Sequence, residues 1–134
     1  MDPFSDEIMG VKIQVAMLME RIQNYPKAIQ VLEILRSDCL KWEEQLGGLE
    51  RNRGKRTRVL AKTVAISVKL GELYANEYIH DEPMAEERLI WAVETALKEK
   101  QRRETEGVKE DEGEWINDEE LGASLEGKLP IRHS

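Results

Sequence analysis

The chain has 134 residues, 40% hydrophobic and 35% charged, with a net charge of −7. That length makes one domain with a modest core, and the acidic balance works against nucleic acid and anionic membrane surfaces. The single cysteine, Cys39, leaves no internal disulfide, and no apolar run approaches the ~20 residues needed to cross a bilayer. The opening Met-Asp-Pro-Phe-Ser-Asp-Glu is acidic and reads as neither a secretory signal nor an Arg-rich transit peptide.

Aromatic content is 5% and alternating apolar order is lacking, so the pattern predicts an all-α fold. From about Asp6 to Ile22, the residues Ile8, Val11, Val15, Met19 and Ile22 recur in helical steps and predict a first helix with that face inward. Asn24 is a natural N-cap for a second helix, with Pro26 in its first turn. Its stripe is Tyr25, Ala28, Leu32, Leu35, Cys39, Trp42 and Leu46, widened by Ile29 and Ile34 and stopped by Gly47-Gly48.

A third helix is expected from Lys55 or Thr57 to about Tyr78, its face made by Val59, Thr63, Ile66, Leu70 and Leu73 and flanked by Leu60 and Tyr74. Asp81 caps a fourth, with Glu82 and Pro83 in the first turn. Ala85, Leu89, Ala92 and Ala96 form its inner face beside Trp91, Val93 and Leu97, and fraying is expected through Lys98 to Arg103. Residues 104–116 read as an acidic solvated loop. Asn117 and Glu120 resemble a capping box for a short fifth helix holding Leu121 and Leu125. The domain plan is therefore two helical hairpins over 1–103, a loop over 104–116, and a short helix with a disordered tail over 117–134.

The hairpins repeat one another. Val15-Ala16 and Met19, then Tyr25, Ala28, Leu32 and Leu35, correspond to Leu70-Gly71 and Tyr74, then Ala85, Leu89 and Ala92. This resembles the tetratricopeptide repeat, a helix–turn–helix unit of about 34 residues. Close crossing of two helices needs small side chains, so Ala16 or Gly71 is expected to face Ala28 or Ala85. Lys12 stands where the family prefers tryptophan, and Ala85 lies 57 positions after Ala28, well over one period. The surplus falls in Ser37 to Thr63, as long helices around a Gly-rich turn.

With Tyr25-Pro26-Lys27-Ala28-Ile29 and Gly54 to Leu60, the chain is similar to fungal tetratricopeptide proteins of the mitochondrial inner membrane, the adaptors that deliver substrates to the i-AAA protease. That family carries a membrane helix and further repeats, so the chain reads as a fragment of a longer parent. The resemblance implies a protein-binding scaffold, not an enzyme. Its partner groove would be lined by Ile13, Gln14, Met17, Glu20 and Arg21, and by Val68, Lys69, Glu72, Ala75 and Asn76. Ile13/Met17 and Val68/Glu72 replace the lysine and asparagine that clamp a C-terminal carboxylate in the chaperone-binding members. The unpaired fourth helix is expected to self-associate.

Other features read blandly. The run Arg51 to Arg58 is the alternative site, for nucleic acid, but net charge opposes it and no aromatic residue interleaves it. Pairing with Glu43, Glu44 and Glu50 is the expected use. Gly54-Lys55 lacks the rest of a phosphate loop. His80 reads as a turn residue, His133 lies in the tail, and no Cys/His pair has ligand spacing, so no metal or cofactor is expected. Cys39 falls on an apolar stripe as a buried thiol. Trp42 and Trp91 are expected in packing roles, and Trp115 as a staple for the fifth helix. Carboxylate pairs such as Glu43/Glu44 and Glu86/Glu87 lack an apolar setting for acid–base work.

Overall fold

The computed structural model describes residues 6–47 and 53–106. They form four α-helices, α1 (Asp6–Arg21), α2 (Tyr25–Leu46), α3 (Arg53–Tyr74) and α4 (Glu82–Glu106). Each packs mainly against its neighbour in sequence. The all-α hairpin fold expected from the periodicity is what the chain adopts, and the expected fifth helix lies outside the described residues.

The caps act as their residue types dictate. Lys27 N donates to Asn24 Oδ1 at 3.3 Å, and Met84 N donates to Asp81 Oδ1 at 3.2 Å, which satisfies an orphan amide at each helix start. The α1–α2 turn places Gln23 at φ 65°, with the Gln23 and Asn24 amides bonding back to Glu20 and Met19 carbonyls. His80 takes φ 52° in the longer α3–α4 connection, the turn role expected of it. That connection also stacks Tyr78 on Tyr25, ring centroids 5.5 Å apart.

Ala28, Leu32, Leu35 and Cys39 of α2 are buried against Met9 and Ala16 of α1 and Val59, Ile66, Leu70 and Leu73 of α3. A smaller cluster joins Val64 and Val68 of α3 to Leu89 and Ala92 of α4. Of the repeat positions, Ala16, Ala28, Leu32, Leu35, Leu70, Gly71, Tyr74, Ala85, Leu89 and Ala92 are buried, Met19 and Tyr25 are half-buried, and Val15 is exposed. Gly71 leaves room for Leu89, one turn beyond the expected Ala85; a Cβ there would lie 2.5 Å from Leu89 Cγ. The close approach is real, but a leucine fills the notch, because its branched end needs the space that an alanine would leave empty.

Several expected positions are corrected. On α1 the inward residues are Met9, Ile13 and Ala16, and Val11, Val15 and Ile22 point to solvent. Ile34 and Leu97 are 56% and 60% exposed, each lying beyond the arc its helix presents to a neighbour. Helix α3 begins at Arg53 and ends at Tyr74, since the turn to Asp81 consumes the next residues. Helix α4 does not fray at Lys98 and runs to Glu106, through the first residues assigned to the loop. Glu99, buried to 7% exposure, accepts from Arg102 Nε at 3.1 Å and pairs with Arg103, which holds the last turns.

Replacing Gly71 by alanine gains about 1 kcal/mol of helix propensity, but Leu89 is fully buried and α3 must move away from α4. Overpacking of that kind costs up to about 3 kcal/mol. Urea unfolding should therefore show Gly71→Ala less stable by about 2 kcal/mol. Gln23→Gly, which removes the left-handed strain, should be more stable by about 1 kcal/mol.

Candidate functional site

Because α1 and α3 both pack on α2 and run in the same direction, a groove opens between them. Its floor and walls are Ile13, Ala16, Met17, Leu32, Ala65, Ile66, Lys69 and Leu73, around a cavity of about 90 Å³. The lining is almost wholly apolar, and Met17 and Ala65 stand exposed at its rim.

One end is closed by charge. Lys69 Nζ lies 2.7 Å from Glu20 Oε2 across the groove and 3.2 Å from Glu72 Oε2 on its own helix. Burial works to lower the Lys69 pKa, but the hydrogen bond to Glu20 and the Glu72 charge outweigh it and hold the ammonium above the ordinary lysine value. On α3, Lys55, Lys62 and Lys69 recur every seven residues, two turns apart, and so share this face. Lys55 and Lys62 carry no ion pair among the described residues.

Of the expected groove residues, the structure brings Ile13, Met17, Glu20, Lys69 and Glu72 together. Gln14 and Arg21 lie on the outer side of α1 with Val11, Val15 and Leu18. Val68 is buried against α4, one residue past the face that α3 shows to α1. Ala75 is exposed and Asn76 belongs to the turn, its Oδ1 accepting from Tyr78 N at 2.7 Å. Ala65, Ile66 and Leu73 were missed as lining residues. Their spacing from Lys69, at one turn either side, is the signal that marks them.

The opposite side of the helix layer is held by a polar network. Arg88 makes a two-pronged pair with Glu33, Nε to Oε1 at 2.8 Å and NH2 to Oε2 at 2.7 Å. The Glu33 hydrogen bond raises the Arg88 pKa above the ordinary arginine value against the pull of burial. Arg36 donates to Ser67 Oγ at 2.8 Å and lies 4.6 Å over the Trp91 ring. Burial and the Arg88 charge lower its pKa.

These groups are structural in their contacts, tying α2 to α3 and α4. Arg56 donates to Glu43 at 2.8 Å, the use expected for the basic run. Arg51 and Glu50 lie outside the described residues. Cys39 Sγ contacts Met9 Sδ at 3.7 Å, and burial pushes its thiol pKa up. Among the described residues no cluster of His, Cys, Asp and Glu could hold a metal ion, and no helix is long and apolar enough to cross a membrane. No family model, no curated protein and no solved structure matches the chain.

The Lys69 cluster has a checkable pH signature. Its folded pKa is raised, so its contribution is fully present below the ordinary lysine value of 10.5 and is lost as pH rises through the folded value. The side chain is 35% exposed, so the effect is under about 1 kcal/mol. The Tm gap between the native chain and Lys69→Met should hold steady from pH 7 to about 10 and narrow above it.

Proposed function

We propose that the chain is a protein-interaction module of the tetratricopeptide type, and that the α1–α3 groove holds an apolar segment bearing carboxylates. The observation that carries this reading is the open apolar groove, with Lys55 and Lys62 in register with Lys69 on α3 and without ion-pair partners among the described residues. An apolar side chain seated between Ile13, Met17 and Ala65 would leave water, and flanking carboxylates would meet these lysines. Such a segment is an amphipathic helix or an extended strand of a partner protein.

Within this reading, the chain belongs with the mitochondrial inner-membrane adaptors of the i-AAA protease that it resembles. Support comes from the Leu70-Gly71…Tyr74 and Ala85…Leu89 pattern and from the long α2 and α3, each of 22 residues. In that setting the groove would present a partly unfolded segment to the protease.

Ala65 offers a clean test, because it is exposed and its replacement leaves the core alone. A library of acidic amphipathic peptides, screened by fluorescence anisotropy, should yield binders that Ala65→Glu weakens about tenfold or more, close to 1.4 kcal/mol. Lys62→Glu should weaken them too and reduce their salt dependence. If Ala65→Glu leaves every binder's affinity unchanged, the groove is not where partners dock. Proximity labelling in mitochondria from a tagged copy of this protein checks the narrower adaptor assignment, for which the protease should be among the labelled proteins.

A further inference from the structure

Among the described residues, exposed large hydrophobic side chains concentrate along the outer side of α1. Val11, Val15, Leu18 and Ile22 are 62%, 39%, 51% and 62% exposed, and no other element among the described residues lies over them. By comparison, the outer face of α4 offers only Ile90 and Leu97, set among the exposed Glu86, Glu87 and Glu94. Contiguous exposed apolar surface of the α1 kind marks an interaction face.

The spacing on α1 is more specific than amphipathicity. Ile8, Val11, Val15 and Leu18 of α1, with Ile22 directly after its last residue, alternate steps of three and four, which is the a and d pattern of a heptad. The a positions, Ile8, Val15 and Ile22, are all β-branched, and the d positions are Val11 and Leu18. In a parallel assembly β-branched a residues with leucine at d favour two strands, a rule that Leu18 meets and Val11 does not.

The flanking charges suit pairing with a second copy. The positions beside the seam are Glu7, Gln14 and Arg21 on one side and Lys12 and Met19 on the other. In a parallel pair each Glu7 meets Lys12 of the second copy, twice by symmetry. An antiparallel pair must set a against d, which leaves one of the five seam residues unmatched; with Ile8 opposite Leu18, each Glu7 meets Arg21 but Lys12 faces its own counterpart. Glu7 and Lys12 are exposed, and neither has an ion pair among the described residues.

We propose that two copies of this chain associate in parallel through α1, with the Ile8–Val11–Val15–Leu18–Ile22 seam at the dyad. The interface is isologous, so it closes at two subunits. The floor of the α1–α3 groove lies on the other side of α1, so both grooves stay open and the dimer binds bivalently. A partner with two docking segments gains avidity from that arrangement.

Little more than two heptads makes a short seam, so the dimer should dissociate on dilution through roughly the micromolar to hundred-micromolar range. Sedimentation equilibrium should show the mass rising from 15.5 kDa toward twice that value as concentration increases. Leu18→Glu should stay monomeric throughout with unchanged helical circular dichroism, since Leu18 makes no part of the core.

Leu18→Cys should form a disulfide between copies on mild oxidation, because d positions meet only in the parallel pair; the other thiol, Cys39, is fully buried. Lys12→Glu should weaken the dimer, and adding Glu7→Lys should restore it. A chain that remains monomeric at several hundred micromolar, a dimer that survives Leu18→Glu, or a Leu18→Cys variant that fails to cross-link would overturn the proposal.

Discussion

The constraint on which this molecule turns is that α3 must be covered on three sides at once. It meets α2 through Val59, Ile66 and Leu70, α4 through Val64, Val68 and Gly71, and α1 across the groove through Ile66, Lys69 and Leu73. A helix of large side chains could not accept three neighbours at packing distance. Small residues therefore punctuate it, Thr63 and Ser67 among them. Thr63 Oγ1 donates to the Val59 carbonyl at 2.8 Å and Ser67 Oγ to the Thr63 carbonyl at 2.7 Å, so neither buried hydroxyl is left unsatisfied. Ser67 also accepts from Arg36, which carries the network out to Trp91.

From that central helix the two faces of the layer take different characters. On one side the α2 and α4 contacts are closed by Glu33–Arg88 and Arg36–Trp91, polar groups whose donors are occupied by protein partners. On the other side α1 and α3 run alongside each other, bridged at one end by Glu20–Lys69 and otherwise apolar and open. The half that locks the helices together and the half proposed to receive a partner are thus separated by the thickness of α3. Groove substitutions such as Ala65→Glu can be made without disturbing the lock.

Much of this was legible in the chain itself. On α2 the stripe from Ala28 to Cys39 is the buried stripe, because a helix flanked on both sides by others needs a broad apolar face, and periodicity records it. Asn24 and Asp81 announced their helix starts through local side chain to backbone bonds, which need no tertiary partner. The groove residues Ile13, Met17, Glu20, Lys69 and Glu72 followed from the repeat pattern. Val68 did not, because α3 turns so much of its surface inward that one residue of rotation separates groove from core. Glu99 was unreadable as a buried group, since only the folded turn brings Arg102 and Arg103 over it.

Helix α1 shows where sequence and structure divide. Periodicity marks Ile8–Val11–Val15–Met19–Ile22 as its most regular stripe, yet of these Met19 alone joins Met9, Ile13 and Ala16 against the core. Helical periodicity says that a face is apolar; it does not say which of two apolar faces a neighbour covers. What the sequence alone determined were the helices, their caps, the α2 stripe and the small residues at crossings, because these depend on contacts a few residues apart or on one helix's own period. The choice of α1 face, the depth of Glu99 and the Gly71–Leu89 notch were decided only by tertiary packing, because each depends on how far one helix is rotated about its axis against another.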